Sequence, residues 1–215
     1  MNTHLSNMLS VGVLALVGVR LVQAVTLSRT HRGRSLSREV WTNLRWRHIW
    51  PVPFVLASVL LVAVPLLMLP VLRWGWWSAL GGDGNPIFGS STATAGTVWE
   101  WLIPLVFMVL VVAALPLFAN AEERMFRMGA QRWTTRHRIV KIVQFGLIHA
   151  VIGIPIGVAL ALSVGGAYFM SVYLRSYSRT GSVEEATLES TRAHTAYNAL
   201  IILSVAVVVA VGAVA

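Results

Sequence analysis

Ionisable side chains are costly to hold inside or beside apolar helices, so the few that this chain places there are the first candidates for chemistry. Glu122 and Glu123 stand together just past an apolar run over 102–120, and Arg127 follows Glu123 by four residues. On a helix, that spacing lets a carboxylate pair with a guanidinium. Pairing would neutralise Glu123 and leave Glu122 free as a general base, its basicity set by semi-buried surroundings. The plainer reading is two interfacial acids balancing a basic loop. His149 lies inside the next apolar run, one turn after Phe145, where an imidazole needs a partner. His194 and Asn198, four residues apart at the start of the last run, share a helix face. They could polarise one common atom or simply hydrogen-bond between helices.

If these groups meet, a glutamate, two histidines and an asparagine are enough to activate a water and stabilise the oxyanion of amide hydrolysis. His149 and His194 could equally help to hold a divalent metal such as zinc. The chain has no cysteine, which excludes a thiol nucleophile, thiolate metal sites and disulfides.

The elements that must position these residues are apolar. Of 215 residues, 56% are hydrophobic and only 12% charged, a composition that points to a membrane rather than water as the solvent. The expected architecture is an all-α, polytopic transmembrane helical bundle forming one membrane domain over 1–215, with about six membrane helices plus short interfacial helices. The segments are read as Leu5 to Val25, Phe54 to Leu72 (kinked by Pro65 and Pro70), Leu102 to Asn120, two halves of the run from Ile139 to Tyr177 divided at Gly153-Ile154-Pro155, and His194 to Val214. Gly157, Gly165 and Gly166 would allow close helix packing. The first segment lacks the flanks of a removable signal peptide and is read as a retained helix. Arg179 to Arg192, with Glu184, Glu185 and Glu189, reads as a short surface helix.

The net charge of +9 gathers between the hydrophobic runs, in clusters from Arg29 to Arg47, from Arg124 to Lys141 and from Arg175 to Arg192. Placing all three in the cytoplasm leaves only Arg73 of the 17 basic residues outside, the distribution that the positive-inside rule favours. The partner implied by this pattern is the lipid bilayer and not a nucleic acid, because arginines and tryptophans flank membrane helices generally. The stretch from Trp74 to Trp101, with Gly81, Gly82, Gly84, Asn85 and Pro86, becomes an external loop, and its tryptophans at 74, 76, 77, 99 and 101 an interfacial girdle. Glu122, His149 and His194 then all approach the cytoplasmic half of the bundle.

Three short motifs occur in order: Glu122-Glu123-Arg124-Met125-Phe126-Arg127, Phe145-Gly146-Leu147-Ile148-His149 and His194-Thr195-Ala196-Tyr197-Asn198. In this the chain resembles the CPBP family, the CAAX-protease and bacteriocin-processing (ABI) group of intramembrane endopeptidases. The double glutamate ending in Phe-Arg, Phe-x-x-x-His and His-x-x-x-Asn match its motifs, and Arg179-Thr180-Gly181-Ser182 is similar to a turn that often precedes the third. The resemblance covers Ala121 to Asn198, within a catalytic core expected over 102–215. Met128 stands before Gly129 where the family usually has Phe-Arg-Gly, and the stretch from Ser182 to His194 is longer than usual.

The resemblance implies an enzyme that hydrolyses a peptide bond of a membrane-anchored peptide or protein, with prenylated CAAX proteins as the nominal substrate. It implies that Glu122 and His149 activate the water, that His194 and Asn198 stabilise the oxyanion, and that Glu123, Arg127 and Phe145 support them. A zinc-dependent and a metal-free mechanism both fit these residues. Two other classes share the pattern: a non-proteolytic membrane scaffold or immunity protein of the same fold, and a small proton-coupled transporter using Glu122 and His149.

Overall fold

Thr30 is both a stop and a start. Its hydroxyl donates to the Leu27 carbonyl at 2.6 Å and accepts from the Gly33 N–H at 3.0 Å, closing α1 (Thr3–Arg29) and capping α2 (His31–Thr42). The joint is tight enough that a Cβ at Gly33 would stand 1.9 Å from the Leu27 carbonyl oxygen. These helices belong to a computed structural model that describes residues 3–76 and 96–214, and no strand occurs among the described residues.

The chain continues through α3 (Trp46–Ile49), where Arg45 and His48 cap each other: the Arg45 N–H donates to His48 Nδ1 at 2.9 Å. Pro51 and Pro53 open α4 (Val52–Met68), at positions where a missing N–H costs nothing; Pro65 lies inside it, and a 3₁₀ turn over Pro70–Arg73 follows. Two short helices, α2 and α3, thus stand between the first two apolar runs, and the second run stops being α-helical before Pro70. The external loop expected around Gly81 to Pro86 lies outside the described residues, as do the side chains of Trp77, Trp99 and Trp101 in the girdle.

Next comes α5 (Trp99–Phe126), 28 residues and about 42 Å long at 1.5 Å per residue. It ends where Gly129 turns left-handed at φ +93°, and a 3₁₀ turn over Ala130–Arg132 leads to α6 (Thr135–Leu147), capped by the Thr134 hydroxyl. Met128, the residue extra to the family pattern, sits in this turn. The reversal expected at Gly153 is present. A 3₁₀ turn over Ile148–Ile152 ends at Gly153, φ +93°, and Pro155 leads α7 (Ile156–Ala161) into α8 (Ser163–Thr180). The first half of that run is shorter as a spanning element than expected, because α6 begins among basic residues at Thr135 and is only 13 residues long.

The expected surface helix over 179–192 is a correction. Nothing between Val183 and His194 breaks a helix, so the acidic stretch forms the first turns of α9 (Val183–Val214), 32 residues long, opened by the Ser182 hydroxyl accepting from the Glu185 N–H. Nor is it a surface: Ala186, Thr187, Glu189, Ser190 and Arg192 are buried.

Helix α9 packs along α5 and α8, and α6 packs against α8. Small residues set the last approach: a Cβ at Gly146 would lie 2.3 Å from the Ala159 carbonyl oxygen, and one at Gly166 2.9 Å from Phe145. Of the glycines expected at close contacts, Gly157 and Gly166 are tight, whereas a Cβ at Gly165 would meet only ordinary contacts. Phe126, Phe145, Phe169, Ala193, Ala196 and Tyr197 join Val52 in one apolar core. Among the described residues two helical stretches, Trp46–Met68 and Ile156–Thr180, are long and apolar enough to cross a membrane.

Candidate active site

The last turn of α5 faces the middle of α9, and there Glu123 is wholly buried. A buried carboxylate needs several donors, and it has three. Arg127 Nη1 donates to Oε1 at 2.6 Å, His194 Nδ1 donates to Oε1 at 2.9 Å, and the Ser190 hydroxyl donates to Oε2 at 2.5 Å. The Arg127 guanidinium, 1% exposed, also lies 4.3 Å over the Phe145 ring and 5.2 Å from that of Phe169. Cation–π contact of this kind helps to offset the desolvation of a guanidinium.

This arrangement orients His194. A carboxylate only accepts, so Nδ1 carries a proton and Nε2 faces the other way, 3.8 Å from Glu122 Oε2. The imidazole stacks on Phe169, with centroids 4.4 Å apart and planes 23° apart, and meets the edge of Phe145. Glu123 below, Phe169 alongside and Glu122 ahead hold the ring in one orientation.

Glu122 is placed differently from its neighbour in sequence. It is partly exposed, and Oε2 is covered yet has no hydrogen-bond partner. It lines a cavity of about 430 Å³ together with His149, Arg20 and mainly apolar residues, among them Leu16, Phe118, Phe126 and Ile152. His149 sits in the 3₁₀ turn after α6, and its Nδ1 donates to the Phe145 carbonyl at 2.8 Å. That bond leaves Nε2 as the acceptor. Phe145 thus touches both histidine rings, at centroid distances of 5.3 Å to His149 and 5.5 Å to His194.

Of the residues singled out in the sequence, Glu122, Glu123, Arg127, Phe145, His149 and His194 meet around this point. Asn198 stands one turn beyond His194, half-buried. It does not line the cavity and has no hydrogen bond among the described residues. Three contributors escape a reading by motif. Ser190 was legible in principle, being four residues before His194 on one helix face. Arg20 was visible as a lone charge in an apolar run, but its place in the cavity was not. Phe169 carried no signal at all.

His194 Nδ1 and His149 Nδ1 are committed to protein acceptors, which leaves their Nε2 atoms and Glu122 Oε2 toward the cavity. No group of three or more His, Cys, Asp or Glu that could hold a metal occurs among the described residues.

Beside the site lies an ionic knot. Glu189 accepts from His48 Nε2 at 3.1 Å, from Arg47 at 3.0 Å and from Arg192 at 3.0 Å, and Arg192 also reaches Glu39 at 2.9 Å and Glu185 at 2.8 Å. Burial pushes the Glu189 carboxyl up, but the hydrogen bond and charge of His48, with Arg47 and Arg192, outweigh it and hold the group at about 2. The knot fastens α2 and α3 to the turns of α9 that precede His194.

No family model matches the chain, and neither a curated protein nor a solved structure matches it.

Proposed function

We propose that the chain is an intramembrane endopeptidase, a polytopic helical bundle in which α1, α5 and α9 cross the bilayer alongside the two stretches already apolar and long enough to do so. The observation that carries this reading is the pair of glutamates: one wholly buried and committed to orienting His194, the other with no hydrogen bond at Oε2, 3.8 Å from His194 Nε2, in a cavity shared with His149. The motif resemblance to the CPBP family and the concentration of arginines at this end of the helices support the same reading, with the site toward the cytoplasm.

In this mechanism a water in the cavity is held between Glu122 and His149 Nε2. Glu122 takes its proton as the oxygen attacks the scissile carbonyl. His194, its Nδ1–H held by Glu123, turns Nε2 toward the oxyanion and would donate to it from that nitrogen. Asn198 would join it once a substrate draws its side chain in. Glu122 then passes its proton to the departing amine. No step runs through a metal.

The test is cleavage of a panel of membrane-tethered peptides by the purified protein in lipid, comparing wild type with Glu122→Ala, His149→Ala and His194→Ala. Each variant should lose about 100-fold or more in rate. Cleavage unchanged in all three removes the assignment of this site.

A further inference from the structure

A second cavity, of about 400 Å³, opens where the start of α2, the end of α5 and the first turns of α9 come together. Its volume falls within the range of ligand sites, about 300–1,000 Å³. The better-covered polar groups in its wall are spent on the fold. Asn120 donates to Thr191 at 3.2 Å, the Thr187 hydroxyl donates to the Val183 carbonyl at 2.8 Å, and Glu39 accepts from Arg192 and from Asn43. The charges at its rim are not spent. Arg32 from α2, Arg124 from α5 and Glu184 from α9 all line the cavity, are exposed, and have no hydrogen bond or ion pair among the described residues. In the knot around Glu189, by contrast, Arg47 and Arg192 are both covered by carboxylates. Being exposed, Arg32 and Arg124 cost the fold little. They offer two planar donor forks, from separate helices, to one concave space, with a free carboxylate on its third side.

We infer that this cavity binds a phosphate ester bearing a primary ammonium group, as in the headgroup of an ethanolamine phospholipid or free phosphoethanolamine. Phosphate oxygens accept from two guanidinium groups at once through charge-assisted hydrogen bonds. A phosphate without a cation of its own would bring a second negative charge beside Glu184 and leave that carboxylate unserved, whereas an ammonium on the same molecule gives it three donors. The surroundings favour the lipid as the source. Helix α1 runs into α2 through Thr30, and its last turns present exposed Val22, Val25 and Leu27, an apolar surface for acyl chains next to a headgroup held at the start of α2. Basic pockets at the inner ends of membrane helices hold lipid headgroups in this way. A ligand there bridges α2, α5 and α9, and so steadies the joint from which α1 extends to wall the Glu122 cavity. The inference uses the membrane setting proposed above but none of the peptidase chemistry.

The experiment titrates the full chain, delipidated in detergent, with dioctanoyl phosphatidylethanolamine, the matching choline and glycerol lipids, and free phosphoethanolamine. Apparent affinity is read from the rise of Tm with ligand concentration. The ethanolamine lipid should bind about 10-fold or more tightly than the other two, because choline has no N–H to donate and glycerol brings no cation. Arg32→Gln together with Arg124→Gln should weaken it by about 10- to 100-fold and leave the Tm without ligand unchanged. Glu184→Gln should bring it down to the affinity of the choline lipid. Arg179→Gln, at an exposed arginine of the same end that lies outside the cavity, should change nothing. Free phosphoethanolamine that binds with the same dependence on the two arginines supports the site and assigns the soluble ester, while a response to the lipid alone supports it and assigns the lipid. A choline or glycerol lipid that binds as tightly as the ethanolamine lipid overturns the inference. So does binding that survives both arginine substitutions, or a loss in Arg179→Gln as large as in the double variant, which is what charge attraction spread over this face would give.

Discussion

Glu122 and Glu123, neighbours in the chain, address the two nitrogens of one ring: Glu123 accepts from His194 Nδ1 at 2.9 Å, and Glu122 stands 3.8 Å from Nε2. Consecutive residues on a helix point about 100° apart, so one carboxylate enters the core while the other edges the cavity. The division of labour between them follows from that angle, and so do the first two predictions.

Glu122→Gln should abolish cleavage and leave the fold intact. Its covered Oε2 has no hydrogen-bond partner to lose, so thermal unfolding in detergent should match wild type while the rate falls by about 100-fold or more. A large drop in Tm would show that Glu122 is structural.

Glu123→Gln should cost stability as well as activity. It leaves the buried Arg127 guanidinium without its counter-charge, and breaking a buried pair costs about 3–5 kcal/mol. The double variant Glu123→Gln, Arg127→Met should recover much of that loss in an unfolding titration. It should not recover activity, because the amide keeps one acceptor oxygen for His194 Nδ1 but no longer places a negative charge beside the ring.

Gly166→Ala should weaken both stability and turnover. The added methyl meets Phe145 at 2.9 Å, and Phe145 supplies the carbonyl that holds His149 and the ring beneath Arg127. Overpacking of this kind costs about 1–3 kcal/mol. Gly165→Ala, whose methyl meets only ordinary contacts, is the matched control and should behave as wild type.

The ionic knot around Glu189 should respond to acid. With its carboxyl held at about 2, below the ordinary 4.5, Glu189 contributes stability that is fully present above pH 4.5 and is lost as pH falls toward 2. The gap in Tm between wild type and Glu189→Gln should therefore stay constant from pH 7 to about 5 and narrow below that. A gap that widens on acidification would contradict the assignment.

What could be read from the sequence alone was whatever is local along the chain. The pairing of Glu123 with Arg127 depends only on helical spacing, and the reversal at Gly153-Ile154-Pro155 only on backbone preferences, so both appear as expected. The helical class and apolar character also need nothing beyond composition and run length. The extent of α9 was misjudged because an acidic, arginine-bearing stretch has the pattern of a solvated face. It is buried instead, since His48, Arg47 and Glu39 from α2 and α3 bring the matching charges.

Only tertiary packing could decide which glutamate is spent on structure, that Ser190 and Phe169 complete the surroundings of His194, that Asn198 stays outside the cavity, and that Arg20 from α1 closes it. Each of these joins residues from helices far apart in the chain. Sequence periodicity states which face of a helix is apolar or charged. It carries no information about which other face arrives to meet it.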